Sequence, residues 1–298
     1  MTTDGSRARS DAGRDDAAGG RPRDKLRGML ESASYEVMPF KGTEELVVAH
    51  VPRSTRITVT ASPAKGIEAT IALTESLTRQ GYTVASHLSA RMIADRAQLR
   101  DIATRLAGAG VQTIFVIAGD GEPAGDFSDA VGVLRALEDI GHRFGDVGIG
   151  GYPEGHPAIG DQDLWRALEE KSRYADHVVT QVCFDAPTTL AWAREVRSRG
   201  IDLPIRIGMP GAVTRQRLMR ISARIGLGDS ARFLKKQQSM LWRFFLPGGY
   251  SPDRLIKGLA PHLSATDATI RGFHIFTFNE LEATEAWRQR LMSGLSER

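Results

Sequence analysis

The sequence predicts a single-domain (β/α)8 barrel, a TIM barrel of the α/β class, on three observations. Eight short apolar segments recur, at 35–40, 56–60, 83–89, 113–120, 147–154, 177–185, 204–210 and 272–279. Stretches of helical period separate most of them. Polar residues gather at the C-terminal end of nearly every segment, where a barrel of alternating strands and helices keeps its chemistry. Glu36, His87, Asp120, Tyr152, Glu154, His156, Gln181 and Asp185 are therefore expected to face one mouth. An open dinucleotide-binding sheet would want an early G-x-G-x-x-G, which the chain lacks.

Each element follows from local pattern. Residues 1–23 are Gly, Ala, Ser, Asp and Arg without apolar periodicity, a composition that does not repay the entropy of ordering, so a disordered tail is expected there and the barrel over 24–298. A short helix at 25–32 leads into the first strand. Further helices are expected at 66–80, 95–107, 128–140, 161–173, 187–199 and 215–225. In the second of these, Leu99, Ile102, Ala103 and Leu106 share a face, and Gly108 and Gly110 end the helix before Thr113. An insertion at 226–263 carries the apolar run 240–246, closed by Pro247-Gly248-Gly249; it reads as a cover over the barrel, a lid or a subunit contact, with a buried cover favoured. Trp165, Trp192 and Trp287 lie in helical patterns and are expected to pack between helices and barrel.

Composition narrows the partners. With 298 residues and 41% apolar content, the chain can bury one large core. Its formal charge of +3 is spread over arginines interleaved with acids, which argues against nucleic acid. A lone cysteine, Cys183, excludes an internal disulfide and a cysteine-rich zinc site. No metal spacing such as H-E-x-x-H is present, and no metal is expected. No apolar run approaches the length of a membrane span, and no signal-peptide core precedes the barrel, so a soluble cytoplasmic protein without a membrane partner is expected. Oligomeric state is left open.

Four places hold chemistry. Glu36 lies in the strand Tyr-Glu-Val-Met-Pro-Phe, where alternation would put Glu36, Met38 and Phe40 on one face. A carboxylate on an apolar strand is costly unless paired or protonated, and desolvation raises a carboxyl pKa, which suits a general acid; a Glu paired with arginine is the equal alternative. Asp120 ends Ile-Phe-Val-Ile-Ala-Gly-Asp and reads either as an anion facing the mouth or as a loop cap. Gly150–Pro157 packs Tyr152, Glu154 and His156 into a loop stiffened by two prolines, with or without a ligand. Thr180–Asp185 would place Gln181, Cys183 and Asp185 on one strand face, with Gln181 able to donate and accept. Cys183 reads as a small core residue.

Taken together, these stretches resemble the methylenetetrahydrofolate reductase family. The matching motifs are Tyr-Glu-Val-Met-Pro-Phe at 35–40, Ser-His-Leu-Ser at 86–89, Ala-Gly-Asp at 118–120, Gly-Tyr-Pro-Glu-Gly-His-Pro at 151–157, Thr-Gln-Val-Cys-Phe-Asp at 180–185 and Phe-Thr-Phe-Asn at 276–279. The resemblance implies reduction of 5,10-methylenetetrahydrofolate to 5-methyltetrahydrofolate with NADH or NADPH, usually through bound FAD. It gives Glu36 the role of acid at the folate nitrogen and Asp120 that of pterin holder and iminium stabiliser. Gln181 becomes a shared folate and nicotinamide contact, and Tyr152 a substrate contact. Thr60, His87, Gly119, Tyr152, His156 and Gln181 become cofactor contacts.

Departures from the family pattern matter equally. Ala118 stands where the family usually has Arg, and Thr60-Ala61-Ser62 replaces a Thr-Tyr-Gly or Thr-Trp-Gly stretch. Glu169-Glu170 occupies positions that commonly bring basic residues to the flavin phosphates, with Arg166 one turn earlier as a possible substitute. FAD is therefore expected to bind weakly or not at all, leaving NADH or NADPH to pass hydride directly. The alternatives are a conventional FAD-dependent reductase and a non-catalytic folate-binding barrel.

Overall fold

A computed structural model of the protein describes residues 22–156, 158–213, 251–263 and 269–296. Eight parallel strands close a barrel in sequence order: β1 (Ser34–Val37), β2 (Arg56–Val59), β3 (Val84–Ser89), β4 (Thr113–Ile117), β5 (Asp146–Gly151), β6 (His177–Thr180), β7 (Ile205–Pro210) and β8 (Ile270–Phe276). The helices are α1 (Pro22–Glu31), α2 (Thr43–His50), α3 (Gly66–Arg79), α4 (Arg96–Gly108), α5 (Ala130–Asp139), α6 (Asp161–Lys171), α7 (Ala186–Ser198), α8 (Pro252–Leu259) and α9 (Leu281–Ser296). The expected (β/α)8 class is the observed one. The expected helix 215–225, the run 240–246 and the turn 247–249 fall outside the described residues, as do Pro157 and the tail up to residue 21.

Alternation along the strands builds two shells. Tyr35, Val37, Ile57, Val59, Ile114, Val116, Ile149, Val178, Ile207, Phe273 and Ile275 point toward the helices and are almost wholly buried. Each large apolar side chain so buried contributes roughly 1.5–3 kcal/mol. The helices begin where short acids can cap them: Asp95 accepts from Gln98 N at 2.8 Å, Asp129 from Gly132 N at 2.9 Å and Asp185 from Thr188 N at 2.9 Å. Helix α9 is locked onto β1 by the Tyr35 hydroxyl, which donates to Glu285 at 2.5 Å, while Arg288 holds the same carboxylate at 2.8 Å.

The inner shell is polar where barrel interiors are commonly branched and apolar. Ser34, Thr58, His87, His177 and His274 are all buried. Glycines make room for the rings. A Cβ on Gly148 would lie 2.6 Å from both His177 and Phe115, and one on Gly208 would lie 2.2 Å from the Thr180 carbonyl oxygen.

Several strands are shorter than expected. Strand β1 ends at Val37, and Phe40 N bonds Met38 O at 2.8 Å, so Glu36, Met38 and Phe40 do not form one strand face. Strand β6 ends at Thr180. Residues 181–185 then turn into α7, so Gln181, Cys183 and Asp185 do not share a strand face either: Cys183 is wholly buried, as a core thiol, while Asp185 caps the helix.

Candidate functional site

The C-terminal ends of the strands form the mouth, and Glu36 stands one residue from the end of β1 with its side chain 14% exposed. Its Oε2 lies 3.3 Å from His274 Nε2 on β8 and 3.6 Å from His87 Nε2 on β3. Neighbouring strands set this contact, because β1 and β8 pair with Glu36 opposite Phe276 and Ser34 opposite His274. Ser34 Oγ is hydrogen-bonded to His274 Nδ1 at 2.9 Å. His87 is the other imidazole, tilted against Phe115 with ring centroids 4.8 Å apart. Burial pushes its pKa down to about 4, against the raising effect of the Glu36 charge; His274 lowers it further. His87 is thus neutral at physiological pH.

The chain above Glu36 is pinned across the barrel seam. Thr277 Oγ1 donates to the Glu36 carbonyl at 2.6 Å, and Asn279 takes Met38 N at 2.8 Å while its Nδ2 donates to Met38 O at 3.1 Å. Asn279 and Phe278 hold this position with φ of 60° and 51°. Left-handed backbone of this kind in non-glycine residues clusters at functional sites.

Asp120 follows β4 on a loop fixed by Arg91, whose backbone N donates to Ala118 O at 3.0 Å and whose guanidinium donates to Gly121 O at 2.9 Å. Asp120 faces Tyr152 from the end of β5: burial raises the phenol's pKa, and the Asp120 charge raises it further. His156 meets the Tyr152 ring edge-on at 5.4 Å. Glu154 turns the other way, its Oε1 accepting from Phe184 N at 2.6 Å and Asp185 N at 2.9 Å. That clamp ties the loop after β5 to the turn after β6, which carries Gln181. Gln181 is half-buried, its backbone N donating to Gly151 O at 2.8 Å and its Oε1 accepting from Val182 N at 3.0 Å. Thr60 stands just past β2, its N donating to Val37 O at 2.9 Å.

The predicted residues thus divide. Glu36, Thr60, Asp120, Tyr152, His156 and Gln181 all lie at or beyond the C-terminal strand ends. His87 sits lower, inside the barrel against Glu36, and Glu154 and Asp185 serve the start of α7. Ser34 and His274 were missed. The signal for them was present: Ser34 is two residues before Glu36, on the same strand face, and His274 is a lone polar side chain in the apolar stretch Gly272–Phe276.

A cleft of about 990 Å³ opens beside this loop, between α6, α7 and α8, with Tyr152 and Gly155 on one wall and Trp165 and Trp192 on another. The two indoles stack with centroids 5.9 Å apart. Among the described lining residues, Glu154, Asp161, Asp185 and Glu195 oppose a single cation, Arg254. Arg166 is paired with Asp163 at 2.5 Å. The Lys171 ammonium is buried against Gly150 O at 2.8 Å, and burial lowers its pKa to about 8.

The chain is an α/β-barrel protein, a closed parallel barrel with an acid set between imidazoles beneath its mouth and a second carboxylate at the rim, an arrangement able to exchange protons with a ligand seated there. The sequence profile of the methylenetetrahydrofolate reductase family matches residues 33–224, and the chain belongs to that family. Relatives include methylenetetrahydrofolate reductase 2 of Saccharomyces cerevisiae, 28% identical over 123 residues that make up 37% of this chain and 20% of that one. The 5,10-methylenetetrahydrofolate reductase of Pectobacterium carotovorum is 30% identical over 134 residues, 43% of each protein. The chain therefore matches less than half the length of these relatives. Among solved structures, a Clostridium thermocellum protein described as binding two copies of 5-methyl-5,6,7,8-tetrahydrofolic acid superposes with a TM-score of 0.57 at 12% identity, over 91% of this chain and 98% of that one. That likeness shows the shared fold. Among the described residues, no helix is long and apolar enough to cross a membrane.

Proposed function

We propose that the protein reduces 5,10-methylenetetrahydrofolate to 5-methyltetrahydrofolate, with NADH or NADPH as hydride donor and no bound flavin. The observation that carries this reading is Glu36, a carboxyl group held inside a polar barrel core at the same end as Asp120. The reaction needs both groups. A proton delivered to N10 opens the five-membered ring and leaves a cationic N5 iminium, which a nearby anion stabilises. Glu36 is the proton donor in this account, and Asp120 the anion. Gln181 offers a carboxamide to the pterin, and Tyr152 borders the same space. Hydride then passes from the nicotinamide C4 to the iminium carbon, forming the methyl group and oxidised nicotinamide. Alignment of the two carbons at the mouth supplies the rest.

The described residues do not fit the FAD that the family usually carries. The described lining of the cleft beside Tyr152 carries four carboxylates and one guanidinium, a poor match for a pyrophosphate. The basic residues of α6 are engaged elsewhere, Arg166 with Asp163 and Lys171 with the Gly150 carbonyl. Loss of one charged hydrogen bond costs roughly 1.5–3 kcal/mol, about tenfold or more in affinity, before repulsion is added. Direct transfer between the nicotinamide and the folate is the consequence. A cytoplasmic site of action in one-carbon metabolism, as a source of methyl groups for methionine biosynthesis, accompanies this proposal.

Purified protein tests it. A colourless preparation that oxidises NADH or NADPH anaerobically with methylenetetrahydrofolate, without added flavin, is the expected result. A yellow protein that releases stoichiometric flavin on denaturation overturns the flavin-free part. A protein that binds the folate but leaves the nicotinamide unoxidised overturns the reductase.

A further inference from the structure

We propose that Glu36 regains its proton from the N-terminal end of the barrel, through His274 and Ser34, and not from the mouth. The proposal rests on the reductase reading above. Each turnover that opens the folate ring leaves Glu36 as a carboxylate, and a folate with a nicotinamide against it covers the mouth side. A route from the mouth would have to wait until both have left, whereas a route from the other end serves Glu36 while they are still bound.

Two imidazoles flank Glu36, and they differ in what lies behind them. His87 leads nowhere: both of its ring nitrogens are buried without a hydrogen-bond partner. Its low basicity also keeps it from storing a proton near neutrality. His274 continues the chain, with Nε2 3.3 Å from the Glu36 carboxylate and Nδ1 2.9 Å from Ser34 Oγ. Ser34 and His274 in turn line a small cavity of about 30 Å³ with Asp146 and His177. That volume suits one water molecule with several polar partners. Arg56 and Thr83, both exposed, also border it, so the cavity meets solvent at the N-terminal ends of the strands.

The transfer balances. The Nε2 proton of His274 moves to the Glu36 carboxylate while Nδ1 takes the hydroxyl proton of Ser34, and Ser34 takes one from water in the cavity. One proton enters from solvent and one appears on Glu36. Rotation of the imidazole restores an Nε2 proton for the next cycle. Ser34 and His274 touch neither substrate; they are positioning residues that act through Glu36.

Anaerobic rapid mixing of the full chain with methylenetetrahydrofolate and NADH separates the first turnover from the steady state. The first turnover starts from protein equilibrated with solvent before mixing; later ones need a proton delivered within the cycle. Ser34→Ala is expected to lower steady-state kcat by about tenfold or more while the first-turnover rate stays within about twofold of wild type. The solvent deuterium isotope effect on kcat should rise, and Ser34→Thr, which keeps the hydroxyl, should recover most of the rate. His274→Asn should show the same split. An equal fall in both phases would assign these residues a structural role and overturn the proposal, as would no fall in either. Absence of turnover in the wild type is a different result, which strikes the reductase reading itself.

Discussion

Ser89 occupies the space beside Gly119: a Cβ at residue 119 would lie 1.9 Å from Ser89 Oγ, and the backbone there has φ of 85°. The turn that delivers Asp120 to the mouth therefore favours glycine, since a Cβ would have to displace the Ser89 hydroxyl and hold a left-handed backbone. Gly119→Ala should destabilise the protein by about 1–3 kcal/mol through the clash and the left-handed backbone together. It should also displace Asp120 and reduce turnover. Urea unfolding and steady-state assay of the variant check both. A fully active Gly119→Ala protein of unchanged stability would show that the turn is looser than described.

Glu36→Gln keeps the shape of the side chain and removes its acidic proton. Reduction should fall by about a hundredfold or more, the range expected for loss of a general acid. Folate binding, followed by fluorescence quenching or calorimetry, should persist. Comparable turnover in Glu36→Gln would place the proton donor elsewhere.

Glu154 holds two backbone N–H groups at the start of α7, and its removal leaves them without that partner. Glu154→Ala should cost about 1.5–3 kcal/mol in urea unfolding. Because the same clamp ties the Tyr152 loop to the Gln181 turn, KM for the folate should rise more than kcat falls. A variant with unchanged KM would separate the clamp from the site.

Asp146 Oδ1 and His177 Nδ1 are hydrogen-bonded at 2.7 Å near the N-terminal strand ends. The hydrogen bond to His177 does most to hold the Asp146 carboxyl below its ordinary value of 3.8, with the nearby Arg206 and Arg56 guanidinium groups adding to it. The folded carboxyl thus binds its proton less tightly than the unfolded one. Its stabilising contribution is present above about pH 4 and is lost as pH falls through the folded pKa. Asp146→Asn should therefore be less stable than wild type at pH 6, and the gap should narrow at pH 3. A gap that widens on acidification would contradict the sign.

Much of this was legible in the sequence, for reasons that can be named. Strand order and helix positions follow from apolar periodicity, whereas Asp185, which the apolar run before it places on a strand face, caps α7 instead. Strand ends were overread because Val182, Cys183 and Phe184 continue an apolar run while turning. Helix α2 was not expected, since Leu46 and Val48 are apolar yet exposed and blur any single face. Ser34 and His274 each carry a local signal, but their pairing does not. They are 240 residues apart and meet only because β8 closes onto β1. No local pattern carries a contact made by closure of the whole barrel.

The most direct measurement follows the hydride. NADH deuterated at the transferring position of C4 is incubated anaerobically with methylenetetrahydrofolate and flavin-free protein, and the product is examined by mass spectrometry. The account predicts 5-methyltetrahydrofolate carrying one deuterium in its new methyl group for each NADH oxidised. A methyl group that takes its hydrogen from solvent, or no methyl product at all, would contradict it.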